Sequence, residues 1–159
     1  VQAFVRQGSR SDVINTKQKK GHIMISYDWS NQQDVIRIRD TLKAQGYSVW
    51  MNIQDMDGSS LETMVEAVEK SHVVLICMSQ KYQESASCRA EAEYAFQERK
   101  KVVALLMEQD YKPNGWLAIL VGNGLSYDFS GKYRFEAKCE ELLKRIDVLY
   151  GVDMSGTND

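Results

Sequence analysis

The residue types that most often bind metals or act as nucleophiles are few and widely spaced in this chain. The three cysteines, Cys77, Cys88 and Cys139, are odd in number and include no C-x-x-C pair, so their spacing indicates no disulfide framework. The two histidines, His22 and His72, do not lie near a cysteine at the spacing of zinc ligands. We therefore expect no metal site, and we expect a reducing compartment, the cytoplasm.

Cys88 has the most reactive sequence context of the three cysteines, because Arg89 follows it. A neighbouring cation can stabilise a thiolate. A free cysteine more often packs as a small apolar side chain, however, and we favour that interpretation.

The composition is that of one ordinary soluble domain. The 159 residues include 43% apolar and 26% charged side chains, with a formal net charge of −2. Nucleic acid is therefore not an expected partner. The longest apolar run, residues 73–78, is far too short to span a bilayer.

The two ends of the chain differ from its middle. Residues 1–20 are polar, lack an apolar period and end in the basic run Lys17, Lys19 and Lys20. We interpret this segment as a linker or the tail of an upstream domain, with room for a short helix and with its lysines in solvent. Residues 151–159 are predicted to form a disordered tail. The folded domain is predicted over residues 21–150.

Five short apolar runs alternate with helical patterns in this middle part. Strands are predicted at residues 23–25, 47–51, 73–78, 102–107 and 125–129. The first helix pattern ends at Gly46, a typical C-terminal glycine. Ser59 and Glu62 form a capping box for the second, and further helices are predicted at residues 87–99 and 135–149. A loop with room for one helical turn separates the last two strands.

This alternation predicts an α/β fold. Each connection between parallel strands needs a crossover, so the pattern indicates a three-layer, doubly wound, five-stranded parallel sheet with helices on both faces. In such sheets, ligands bind outside the carboxyl ends of the strands. The loops that follow the predicted strands are therefore where we expect functional residues.

Several nucleotide and hydrolase motifs are missing from those loops. No G-x-G-x-x-G follows the first strand, and there is no Walker loop and no G-x-S-x-G. These absences disfavour a nucleotide-dependent dehydrogenase, an NTPase and an α/β-hydrolase. A flavodoxin-type electron carrier shares the fold class but would also need a phosphate loop.

Four motifs in order resemble those of the Toll/interleukin-1 receptor (TIR) domain family. Residues 22–27, H-I-M-I-S-Y, resemble its first-strand signature, and residues 52–60 resemble its loop after the second strand, the BB loop. Residues 87–91, S-C-R-A-E, resemble a W-C-x-x-E motif with Ser87 in place of the tryptophan, and residues 128–130 resemble a terminal aromatic box. The likeness covers residues 21–150, is closest to invertebrate and NAD-cleaving members, and implies a flavodoxin-like TIR fold.

The resemblance implies one of two activities in innate-immune or cell-death signalling. One is an NAD glycohydrolase or cyclase that releases nicotinamide, is activated by self-association and uses NAD as a substrate, with no permanently bound cofactor. The other is a non-catalytic scaffold that binds other TIR domains. Both would use the BB loop as an interface, at the positions Asp55, Met56, Asp57 and Gly58.

The NAD-cleaving members also imply a set of site residues. Their catalytic glutamate falls on Glu91, and their substrate-binding positions fall on Asp57, Leu61 and Ser87, where Ser87 replaces a tryptophan. Two tryptophans are further candidates for substrate binding, Trp29 and Trp116. Trp29 could stack on a nicotinamide or adenine ring or simply pack in its loop. Trp116 could stack on a base or lie at an interface.

Glu91 lies four residues after Ser87, the expected helix N-cap. That places it in or just beyond the first turn, where the helix dipole favours an ionised carboxylate. Such a carboxylate could hold ribose hydroxyls and stabilise the positive charge that develops as nicotinamide leaves. Scaffold members keep this glutamate too, so both activities stay open.

Overall fold

The computed structural model describes residues 10–52 and 61–152. The strands are β1 His22–Ser26, β2 Val49–Met51, β3 Ser71–Met78, β4 Lys101–Leu106 and β5 Ser126–Asp128. The helices are α1 Arg10–Lys20, α2 Gln32–Ala44, α3 Leu61–Glu69, α4 Gln80–Glu84, α5 Ala86–Gln97, α6 Gly115–Val121 and α7 Phe135–Leu149, with a 3-10 turn at Trp29–Asn31. Within the described residues, no helix is long and apolar enough to cross a membrane.

The five strands form one parallel sheet in the order β2-β1-β3-β4-β5. The central strand β3 is buried along almost its whole length, which explains its continuous apolar sequence. The predicted five-stranded α/β fold is confirmed. The order also brings β1 next to β3, where the chain changes direction across the sheet and where ligands bind in folds of this kind.

Two apolar layers hold the helices to the sheet. On one face, α2 and α7 bury residues such as Ile38 and Leu142 against Ile23 and Leu75. On the other face, α3, α4, α5 and α6 pack against alternate residues of the same strands; this layer includes Met24, Met64, Tyr82, Ala92 and Leu117. The three-layer arrangement follows from strands whose successive side chains point to opposite faces.

The helix α1 packs on the domain through a buried lysine. The Lys17 side chain is only 5% exposed, and its Nζ donates a hydrogen bond of 2.5 Å to the backbone oxygen of Gln45. The same ammonium lies 3.9 Å from Asp147 and 4.2 Å from the centre of the Tyr47 ring. The sequence predicted that this lysine would be in solvent, and that prediction was wrong because these partners lie far along the chain.

Gly46 explains how α1 can approach the end of α2 so closely. Its φ is +90°, a backbone conformation that other residues resist, and the predicted C-terminal glycine is confirmed. A Cβ at this position would lie 2.9 Å from Cγ1 of Ile14 in α1. Glycine is therefore required here both by the turn and by the neighbouring helix.

Candidate functional site

A polar cavity lies at the carboxyl end of β1, beside the start of α5. Its volume is about 220 Å³. Its lining residues come from β1, the loop that follows it, the end of β2 and the first turns of α5; they are Ile25, Tyr27, Asp28, Trp29, Asn52, Ser85, Ser87, Cys88 and Glu91. The cavity therefore occupies the position beside the β1–β3 junction where the fold favours ligand binding.

Glu91 and Asp28 are the two residues with carboxyl groups that line this cavity. The side chain of Glu91 is half-buried, and Ser26 at the end of β1 donates a hydrogen bond of 2.6 Å to its Oε1. Burial raises the pKa of Glu91 from 4.5 to about 7, although the hydrogen bond from Ser26 acts in the opposite direction. No charged side chain of the described part of the chain is among the causes of the shift. The carboxyl group is thus close to half-ionised at neutral pH.

The start of α5 differs from the sequence-based expectation. Ser85, not Ser87, is the N-cap, because its hydroxyl accepts a hydrogen bond of 3.2 Å from the backbone N–H of Cys88. Glu91 is then six residues beyond the cap, in the second turn of the helix. The sequence predicts that the helix dipole favours an ionised Glu91. The influence of the dipole falls off after the first turn, however, so it does not keep Glu91 fully ionised. Burial dominates its pKa instead.

Tyr27 and Cys88 form the inner wall of the cavity. The Tyr27 hydroxyl is hydrogen-bonded to the backbone oxygen of Asn52 and lies 3.0 Å from the side-chain oxygen of Gln32. The Cys88 thiol is buried and contacts the backbone oxygen of Tyr27 at 3.5 Å. Burial raises the pKa of Cys88 to about 12. The preferred interpretation of Cys88 as a packing residue, not a thiolate, is confirmed.

Trp29 lies at the mouth of the cavity. It is 41% exposed and begins the 3-10 turn after β1. Asp28 caps this turn by accepting hydrogen bonds from the backbone N–H and the hydroxyl of Ser30, at 2.9 and 2.5 Å. The indole is therefore attached to a well-bonded turn while part of it remains open to solvent.

The structure brings only some of the expected site residues together. Glu91, Trp29 and Ser87 line the cavity, whereas Leu61 and Trp116 do not. Leu61 is 70% exposed at the start of α3. Trp116 in α6 packs on Tyr82, and its Nε1 donates a hydrogen bond of 2.8 Å to the backbone oxygen of Gln83. This bond and this packing hold the Trp116 indole against α4.

The expected interface residues lie outside the described residues. These are Asp55, Met56, Asp57 and Gly58, together with Ser59 of the predicted capping box. Asn52, the last residue described before that segment, lines the cavity. One lining residue of the cavity thus directly precedes, in sequence, the segment in which the interface is expected.

Sequence reasoning did not assign Ser26, Tyr27, Asn52 or Ser85 to the site. Ser26 and Tyr27 belong to the I-S-Y motif, and their position at a strand end was a usable signal. Ser85 had no distinct signal, because Ser87 two residues later is an equally good capping residue type.

A family model described as a TIR domain matches residues 23–143 of the chain. The chain belongs to the TIR domain family. The match extends from β1 into α7 and therefore overlaps every strand of the TIR sheet described above. No curated protein sequence matches the chain.

Solved structures of other TIR domains share the fold at 17% sequence identity. The TIR domain of the Toll-related receptor TRR-2 from the lower metazoan Hydra magnipapillata has a TM-score of 0.62, over 78% of this chain and 96% of that one. The TIR domains of the activated Roq1 resistosome, which directly recognises the pathogen effector XopQ, score 0.60 over 79% and 99%. The RPS4 and RRS1 TIR domain heterodimer scores 0.57 over 82% and 99%.

Proposed function

We propose that this TIR domain cleaves the bond between nicotinamide and ribose in NAD, with Glu91 as the catalytic carboxylate. The observation that carries the proposal is the state of Glu91: a half-buried carboxyl group in a cavity at the β1–β3 junction, with a pKa raised to about 7 by burial. A carboxylate that is poorly compensated by its surroundings is costly for folding, and such groups occur often at functional sites.

The chemistry needs a negative charge at this place. Breaking the bond between C1′ of the ribose and the nicotinamide nitrogen leaves the electron pair on nicotinamide, so the leaving group becomes neutral and needs no proton. Positive charge then develops on the ribose, and an adjacent carboxylate stabilises it. Water adds to C1′ and releases its proton to give ADP-ribose; attack by a group of the same molecule would give a cyclic product.

The surroundings of Glu91 suit one end of the substrate. The cavity of about 220 Å³ is smaller than the pockets of roughly 300–1,000 Å³ that enclose whole ligands, so it fits the nicotinamide riboside half of NAD. The exposed face of Trp29 at the mouth is placed for stacking on a planar ring. The cationic nicotinamide ring would also favour the ionised form of Glu91 and so lower its pKa on binding.

A second candidate function is non-catalytic assembly with other TIR domains in signalling. It is favoured by the solved neighbours, two of which are a resistosome and a TIR domain heterodimer. In an innate-immune or cell-death pathway of the cytoplasm, association through residues 55–58 would then be the whole function. Self-association would equally serve the first function by activating the site.

NAD turnover by concentrated protein separates the two functions. We expect nicotinamide release, measured by chromatography with and without a crowding agent, to fall at least about 100-fold in Glu91→Gln, the scale on which loss of one charge-stabilising group acts. Glu93→Gln is the matched control, because Glu93 lies on the same helix and pairs with Arg89 at the surface. Equal turnover by Glu91→Gln and Glu93→Gln would disprove the catalytic role of Glu91. Absence of turnover by the unmodified protein would favour assembly as the function.

A further inference from the structure

A chain of two buried hydroxyls leads from the core of the domain to Glu91. The hydroxyl of Tyr82 lies 2.8 Å from Oγ of Ser26, and Oγ of Ser26 lies 2.6 Å from Oε1 of Glu91. Tyr82 is fully buried and Ser26 is 1% exposed. The three residues come from α4, β1 and α5, so the chain joins three separate elements beneath the cavity.

Counting protons gives the direction of this chain. A hydroxyl has a single proton to donate, and that of Ser26 is used on the ionised Glu91 carboxylate, which can only accept. The hydrogen bond between Tyr82 and Ser26 must then be donated by Tyr82. The other acceptor near the Tyr82 hydroxyl is the backbone oxygen of Cys88, at a longer distance of 3.4 Å. When Glu91 is ionised, both hydroxyl dipoles therefore point toward the carboxylate.

We propose that Tyr82 is a positioning residue, whose hydroxyl orients that of Ser26 toward Glu91 and so sets the orientation and ionisation of the carboxyl group. The expected effect of Tyr82 on catalysis rests on the proposed function, whereas its expected effect on the ionisation of Glu91 does not. Tyr82 does not line the cavity, so its hydroxyl is linked to the Glu91 carboxyl group through Ser26.

The burial of Tyr82 supports this role. An apolar contact alone would be met by phenylalanine, and burying a hydroxyl is unfavourable unless it is hydrogen-bonded. Burial also raises the pKa of Tyr82 well above its usual value, so the hydroxyl keeps its proton and remains a donor. Hydrogen bonds in a chain polarise one another, and a donor to Ser26 makes Ser26 a stronger donor to Glu91.

The ionisation of Glu91 can be measured without substrate, from the carboxyl carbon chemical shift during an NMR titration. Removing Ser26 as a donor, in Ser26→Ala, should raise the pKa of Glu91 by about 1–2 units, the equivalent of one hydrogen bond to a charged group. Tyr82→Phe should raise it in the same direction by up to about half a unit, because it removes only the polarising donor.

Tyr111→Phe is the matched control for Tyr82→Phe. Tyr111 belongs to the same apolar layer and lies against α4, but its hydroxyl bonds the side chain of Gln83 at 2.5 Å and does not reach Ser26. We expect this variant to leave the pKa of Glu91 unchanged. If the pKa in Tyr82→Phe equals that in Tyr111→Phe, Tyr82 has no positioning role. If Ser26→Ala also leaves it unchanged, the whole chain is refuted.

Turnover of NAD provides a second readout and keeps the two proposals distinct. The acid limb of the kcat/KM profile should move to higher pH by the same amount as the NMR titration in each variant, since this profile reports the free enzyme. Absence of turnover in the unmodified protein would refute the proposed function. The NMR titration would then still test whether Tyr82 influences the ionisation of Glu91. Ser26→Ala keeps the Tyr82 ring intact, so it tests the chain even if Tyr82→Phe folds poorly.

Discussion

Glu91 should make the stability of this domain depend on pH, and Glu91→Gln should remove that dependence. The pKa of Glu91 in the folded chain is about 7, above its value of 4.5 in the absence of burial. The carboxyl group therefore favours the folded state fully only below about pH 4.5, and this contribution is lost as the pH rises through about 7. Glutamine has nearly the same shape, accepts the hydrogen bond from Ser26 and stays neutral.

The magnitude follows from the shift in pKa. A difference of 2.5 units between 4.5 and about 7, at about 1.4 kcal/mol per unit, destabilises the folded state by about 3 kcal/mol once Glu91 is fully ionised. About 2.5 kcal/mol of this develops between about pH 5 and about pH 8. For a domain of this size, it corresponds to a difference in Tm of about 5–10 °C.

Chemical or thermal unfolding at a series of pH values would measure the effect. We expect Glu91→Gln to be more stable than the unmodified protein at pH 8, with a gain that shrinks toward pH 5. Glu93→Gln, the exposed control on the same helix, should follow the unmodified protein throughout. A gain for Glu91→Gln that is constant with pH, or no gain at pH 8, would show that burial does not hold the pKa of Glu91 near 7.

Two further predictions concern the packing of α1 and the mouth of the cavity. Lys17→Ala should lower the free energy of unfolding by about 2 kcal/mol, because it removes a buried, hydrogen-bonded ammonium group. Lys19→Ala, at an exposed position of the same helix, should change the free energy of unfolding by less than about 0.5 kcal/mol. Equal melting temperatures for the two variants in calorimetry would contradict the contacts described for α1. For the proposed cleavage of NAD, Trp29→Ala should raise the KM about 10-fold, because ring stacking contributes about 1–3 kcal/mol per base. Trp29→Phe should leave the KM close to that of the unmodified protein. An unchanged KM in Trp29→Ala would exclude stacking.

The sheet could be predicted from sequence because its signals are local. Residues 73–78 are a continuous apolar run, as expected when both faces of a strand are covered, and β3 contains them. Once such runs alternate with helical patterns, the parallel arrangement follows from the length of the connections. The short helix α4 was missed, because its five residues carry too few turns to show a period.

The site was less predictable because its contacts are between distant parts of the chain. The bond between Ser26 and Tyr82 spans 56 positions, and that between Ser26 and Glu91 spans 65. No local pattern in either segment indicates its partner. The N-cap was misplaced at Ser87 for a different reason: α4 ends immediately before Ser85, so the preceding helix, not the residue type, decides where α5 begins.

The residue before the first strand and the residue after the last helix contact each other on the side of the domain opposite the cavity. Gly21, just before β1, accepts a hydrogen bond of 3.0 Å from the hydroxyl of Tyr150, just after α7. Both lie at the amino edge of the parallel strands, whereas the Glu91 cavity lies at the carboxyl edge. An oligomerising fusion or a surface tether attached on this side of the domain would therefore leave the cavity facing outward. The domain can therefore be clustered artificially without covering the carboxyl group of Glu91.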